Sequence, residues 1–302
     1  MDFGKIVNNS FKIAWEHKSL WILGLFAGGS FSGFHWNMGD VDLKKYFDLE
    51  SIGIGRHFLD SLPPLELLLI PLAAFFLFFL LFLLIMHLIC LPAIIDGVNK
   101  ISRGGRYSLG GSFKTGLQYF WRFAGLFLLS FFVTILSTVM LVLIAVVFFT
   151  MHIAVGFLSL LVLLPMLFFI IIAVTNIYSL TQRSIVVRNF SIGDALGEGF
   201  YLFKSRFLDN LLIFLIYIGL TIGLGLAAAI IWVIVGLPIG FIVMAMGVSL
   251  VPAIIIGMIL GLPISFVVGG FLGTVFANLY TLFYFELVEP AGVQQPAVAP
   301  AG

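Results

Sequence analysis

Asn210-Leu-Leu-Ile-Phe-Leu-Ile-Tyr-Ile-Gly219-Leu-Thr-Ile-Gly223-Leu-Gly225 opens a stretch that runs to Phe285 without one Asp, Glu, Lys or Arg. A charge inside hydrocarbon costs several kcal/mol, so a chain keeps such a run where lipid is its solvent. The rest of the sequence agrees. Hydrophobic residues make up 62% of the 302 positions and charged residues 10%, with 34 Phe; soluble domains hold about 45–50% and 25%. The expected fold class is all-α: a polytopic membrane helical bundle of about six spans, with short cytoplasmic amphipathic helices and an internal helix-pair repeat.

Working outward, spans are expected near residues 19–36, 65–95, 123–150, 153–182, 208–235 and 263–287. Trp21 and Trp36 bracket the first as interfacial anchors. The uncharged run exceeds two ordinary spans of about 20 residues. It carries Gly236-Leu-Pro238-Ile and Gly261-Leu-Pro263-Ile, and Gly followed by Pro breaks or kinks a helix. Residues 236–262 are therefore read as a re-entrant or interfacial piece; a seventh full span is the rival. Residues 1–289 form the membrane domain, and the Ala/Pro-rich 290–302 a disordered tail.

The cations set the orientation. Lys5, Lys12 and Lys18 precede the first span, Lys100, Arg103, Arg106, Lys114 and Arg122 follow the second, and Arg183, Arg188, Lys204 and Arg206 follow the fourth. Only Lys44, Lys45 and Arg56 lie opposite, outweighed by acidic neighbours. The positive-inside rule then makes the N-terminus cytoplasmic and residues 37–64 external, in the cell (plasma) membrane. A cleaved leader is disfavoured, because Ala27-Gly28-Gly29 is a poor cleavage site.

Internal echoes place the C-terminus on the cytoplasmic side as well. Asn176-Ile-Tyr178-Ser-Leu180 matches Asn278-Leu-Tyr280-Thr-Leu282. Ser10-Phe-Lys-Ile-Ala14, Ser112-Phe-Lys-Thr-Gly116 and Ala195-Leu-Gly-Glu-Gly199 share a pattern of small residues among aromatics. Each reads as a short amphipathic helix lying on the surface ahead of a span, a construction that membrane folds repeat.

Ala14-Trp…Leu20-Trp21-Ile-Leu-Gly24-Leu, and Arg183-Ser-Ile-Val-Val-Arg188 leading into Ile192-Gly-Asp194-Ala195-Leu…Gly199-Phe-Tyr-Leu-Phe203-Lys204, resemble the membrane domains associated with glycerophosphoryl diester phosphodiesterases. The likeness extends over most of residues 1–289. It implies a fold and a membrane address and carries no active site, since no phosphodiesterase domain accompanies these motifs.

Chemistry-bearing patterns are scarce. His17, His35, His57, His87 and His152 lie at no zinc-ligand spacing, and Cys90 is the one cysteine, expected as a buried thiol. Gly28-Gly-Ser30-Phe-Ser32-Gly33 lacks nucleophile-elbow spacing and reads as a flexible exit from a span. No catalytic, metal or cofactor site is expected, and no nucleic-acid partner. The intramembrane polar candidates are His87, Asn176, Tyr178, Asn278 and Tyr280, for which hydrogen bonding within the bundle is the simpler role and headgroup or substrate binding the sharper one.

Small residues at every fourth position, Gly257, Gly261, Ser265, Gly269, Gly273 and Ala277, face Gly219, Gly223 and Ala227 as an expected helix-packing seam. The exposed cations of residues 183–206 are expected to attract anionic lipid at about 1 kcal/mol each. An organising, accessory or lipid-interacting membrane component is the function these features suggest. A transporter of an apolar or lipid-like cargo is the alternative, resting on the repeats and the Gly-Pro breaks.

Overall fold

The computed structural model describes residues 1–28, 65–245 and 250–288, and these residues are almost entirely helical. The helices are α1 (Phe3–Glu16), α2 (Leu20–Ala27), α3 (Leu65–Ser102), α4 (Leu109–Met151), α5 (Ile153–Arg188), α6 (Ile192–Ser205), α7 (Phe207–Ala245) and α8 (Leu250–Val288). Among the described residues, five helices contain segments long and apolar enough to cross a membrane: Ala73–Ser102, Leu109–Met151, Ile153–Arg188, Phe207–Pro238 and Pro263–Val288. The molecule is a membrane protein in its make-up.

Local chemistry explains the boundaries. Asp2 caps α1 by accepting from the Lys5 amide at 3.0 Å, and Ser108 caps α4 by accepting from the Gly111 amide. A single residue, His152, separates α4 from α5; its backbone is extended and its Nδ1 accepts from the Ala154 amide at 3.1 Å. The expected junction near Thr150-Met151-His152 is therefore present, and the imidazole serves as a helix cap. Asn189 ends α5 in the left-handed region at φ 55°, a conformation Asn tolerates. Ser191 then caps α6 through the Asp194 amide.

Several expectations change. Residues 112–122 are no separate surface helix. Gly110 and Gly111 fall in the first turn of α4, and the amphipathic turns continue without a breaker into the apolar part of one 43-residue helix. Nor do the two Gly-Leu-Pro sequences break their helices: Pro238 lies inside α7 and Pro263 inside α8. In lipid no water competes for the freed carbonyls, so a helix retains its course through proline. Most of residues 236–262 thus belongs to two long helices, with 246–249 outside the described residues.

The expected first span, residues 19–36, is described only as far as Gly28. Its described part is α2, only eight residues long, while Trp36, His35 and His57 lie outside the described residues, as do 290–302. Helix α2 packs between α8 and α3. Leu20 and Leu23 join Ile94, Ile95, Leu279 and Phe283 in the core. Thr274 donates to the Leu20 carbonyl at 3.1 Å, and Trp21 Nε1 donates to the Ala14 carbonyl at 2.6 Å, tying α2 back to α1.

The seam on α8 is real; its glycine-to-glycine contacts are with α2, and the expected partner α7 meets it through Trp232 rather than through Gly219 and Gly223. A Cβ on Gly24 would overlap Thr274 and the Gly270 carbonyl, and one on Gly28 would overlap Gly273. Gly28 is thus a packing residue; residues 29–33 of the expected flexible exit lie outside the described residues. Gly219 and Gly223 of α7 have open space around them. Of the α8 series, Gly261 meets the Trp232 ring of α7, Gly269 is buried, and Gly273 meets Gly24. The surroundings of Gly257 lie outside the described residues. Helix α8 is the central element: 67% of the most apolar window of Pro263–Val288 is buried, against 0% for Phe207–Pro238.

Candidate functional site

The C-terminal ends of α3, α5 and α8 meet α1, the start of α4 and α6 at one end of the bundle, and the polar side chains gather there. Gly116 of α4 sits against the Ile89 carbonyl and Ala93 of α3. Gly199 of α6 sits against Thr181 and the Ile177 carbonyl of α5. On α1, Ala14 is fully buried, and the Ser10 carbonyl accepts from Asn278 Nδ2 of α8 at 3.1 Å. At Gly116 and Gly199 the missing side chain lets helix backbones approach closely.

Two carboxylates hold these contacts. Asp96 Oδ2 accepts from Lys100 Nζ at 2.7 Å and from Ser112 Oγ at 2.8 Å, which joins α3 to α4. Glu198 accepts from Ser184 Oγ, from Tyr284 Oη at 3.3 Å and from Arg188 Nη1 at 2.8 Å, which joins α6 to α5 and α8. The two clusters share one logic with the groups exchanged: the first has its carboxylate on the long helix and its serine on the amphipathic one, the second the reverse. Each carboxylate, buried at Asp96 and partly buried at Glu198, is satisfied by charge and hydroxyl together.

Arg183 behaves otherwise. Sequence placed it among surface cations, yet it is 3% exposed. Its Nη1 donates to the Ser179 carbonyl at 2.8 Å and to Gln182 Oε1 at 2.9 Å. The guanidinium lies 5.5 Å from the centre of the Tyr280 ring, a cation–π contact. The Tyr217 ring stands 5.6 Å from that of Tyr280. Arg183 Nε, Gln182 Nε2 and Tyr280 Oη are buried without hydrogen-bond partners. Arg183 turns inward because it continues the polar stripe Asn176, Ser179 on α5 at spacings of three and four.

The five candidate residues divide. Tyr178 and Tyr280 both flank Arg183. The two asparagines go separate ways: Asn176 Nδ2 donates to the Ile172 carbonyl within α5, and Asn278 bonds to α1. His87 stands apart from both, its Nδ1–H donating to the Phe26 carbonyl at 2.9 Å at the end of α2. There it satisfies one of the carbonyls that a helix terminus leaves without a partner. Arg183, Gln182, Glu198 and Tyr284 were missed as site residues. The heptad stripe from Asn176 to Arg183 was the signal that could have found the first two.

Outside the spans, Tyr107 sits in the turn between α3 and α4. Burial pushes its phenol above the usual tyrosine range, with the Asp96 carboxylate adding to the effect and Ser19 opposing it. Among the described residues, no three His, Cys, Asp or Glu side chains gather as a metal site. No protein family, curated protein or solved structure matches the chain.

Proposed function

We propose that this chain is a multi-pass component of the cell membrane that acts without chemistry of its own, as an organising, accessory or lipid-interacting protein. The carrying observation is the surface of its charged end. Trp15, Trp121, Phe200 and Tyr201 project into the surroundings from α1, α4 and α6, Trp121 at 80% exposure. Lys18, Lys114, Lys204 and Arg206 are exposed on or beside the same helices. Aromatic rings with cations suit the layer where headgroups meet hydrocarbon, and the cations favour anionic lipid.

The finer layout belongs to this reading: six spans, both termini cytoplasmic, and three copies of a unit in which an amphipathic helix docks through a small residue. Gly116 and Gly199, each set against a carbonyl of a long helix, and the buried Ala14 at the matching position of α1 support the repeat. The likeness to phosphodiesterase-associated membrane domains is consistent with it. A transport role would lean on discontinuous helices; helices that continue through Pro238 and Pro263 favour the non-transport reading.

The test is depth-resolved quenching of single-tryptophan variants retaining Trp15 or Trp121, in vesicles of brominated phospholipid. Strong quenching by shallow bromines supports the reading. Free access of aqueous iodide with no lipid quenching would sink it. Cysteine labelling in a Cys90→Ser background then tests topology: Ser51 and Met246 should react from outside, Ser108 and Gly292 only from within.

A further inference from the structure

We infer that Arg183 anchors an oxyanion-binding site between α5 and α8 that takes a phosphate group. The inference deepens the lipid-interacting reading and rests on it only for the phospholipid source of that phosphate.

Arg183 is a buried cation whose partners are all neutral: one backbone carbonyl, one side-chain amide oxygen and one phenol ring. The carboxylate bonded by the next residue along, Glu198, is engaged by Arg188, Ser184 and Tyr284. Among the described residues no acidic side chain forms an ion pair with Arg183. A buried charge held this way is costly unless something neutralises it. Beside it, Gln182 Nε2 and Tyr280 Oη are buried donors without acceptors, as is Arg183 Nε. Three donors and a positive charge are neighbours there; an oxyanion satisfies both needs, whereas a cation or an apolar ligand satisfies neither.

Position along α5 makes lipid phosphate the oxyanion at hand. Arg183 lies five residues before the end of α5 at Arg188, about 7.5 Å along the helix. The headgroup layer on each side of a bilayer is about 5–8 Å thick. With the end of α5 at the aqueous edge of that layer, a phospholipid phosphodiester would lie at the level of this guanidinium, and a phosphate ion from the aqueous side would reach the same place. Arginine's planar fork recognises either one.

The experiment uses the full chain purified in zwitterionic detergent. Thermal unfolding is followed on titrating phosphatidylglycerol or, separately, inorganic phosphate, with bound lipid counted by native mass spectrometry. Wild type should be stabilised by at least one of the two, and Arg183→Gln should weaken that binding by about tenfold or more. Stabilisation by phosphatidylglycerol alone assigns a lipid ligand; stabilisation by both assigns a phosphate site open to solutes.

Tyr280→Phe keeps the ring beneath the guanidinium and removes only the hydroxyl. It should fold like wild type and bind several-fold more weakly, so it carries the test if Arg183→Gln does not fold. Lys204→Gln with Arg206→Gln is the control. If that pair abolishes binding while the Arg183 and Tyr280 variants bind as wild type does, the surface reading stands and this inference is overturned. Equal response in every variant, or none in wild type, overturns it as well.

Discussion

Gly24 and Gly273 meet backbone to backbone: a Cβ on Gly273 would overlap the Gly24 carbonyl and press on the Gly28 Cα. Neither neighbour can yield as a flexible side chain would, so α2 and α8 are held at glycine distance. Gly273→Ala should lower stability by about 1–3 kcal/mol through overpacking. Gly219→Ala, in open space on α7, should be neutral or raise stability by up to about 1 kcal/mol, because alanine is the better helix former. Thermal unfolding of the two variants in one detergent checks both. Equal destabilisation would mean that Gly219 of α7 is closely packed as well.

Glu198 is expected to act as a fastener between three helices. Replacing it with Gln keeps the shape but weakens the charge-assisted bonds, at a cost of about 1–3 kcal/mol, discounted because Arg188 is 39% exposed. A double-mutant cycle with Ser184→Ala should give a coupling of at least about 0.5 kcal/mol. Strict additivity would show that the two side chains do not communicate.

Tyr107 should make stability fall at high pH. Its folded-state phenol titrates above the ordinary value near 10. The folded protein thus retains a proton that the unfolded chain has already lost. The contribution is complete below the unfolded value and disappears as pH rises through the folded one. Melting temperatures between pH 8 and 11 should drop more steeply for wild type than for Tyr107→Phe. Parallel curves would remove the phenol from the account.

His87→Leu should destabilise by about 1–3 kcal/mol, because the Phe26 carbonyl loses its donor inside the bundle. His87→Gln can still donate and should recover part of the loss. If leucine and glutamine behave alike, the hydrogen bond contributes nothing measurable.

Membrane class and the positions of most long apolar helices were legible because charge exclusion and length are properties of the sequence itself. The α4–α5 junction at His152 was legible too, since a polar residue between long apolar runs marks a turn. Partner choice was not. Gly24 and Gly28 repeat at four residues just as Gly219 and Gly223 do, and periodicity marks a close-packing face without naming what approaches it. Arg183 was misplaced for a related reason: near a helix end, side-chain direction decides between surface and interior, and the count of cations is blind to direction. The prolines misled because their cost depends on the solvent, and the rule of thumb comes from water.

The bond from Asn278 to the Ser10 carbonyl and the one from Thr274 to the Leu20 carbonyl join positions 268 and 254 residues apart. A ribosome adding about 5–20 residues per second needs roughly ten seconds to most of a minute to cover that separation. For that interval α1 and α2 are made but have no α8 to settle against, and the glycine face of α2 lies open in the nascent chain. The bundle therefore closes last where it was begun first, so a truncation that removes α8 should strand the N-terminal helices as a substrate for quality control.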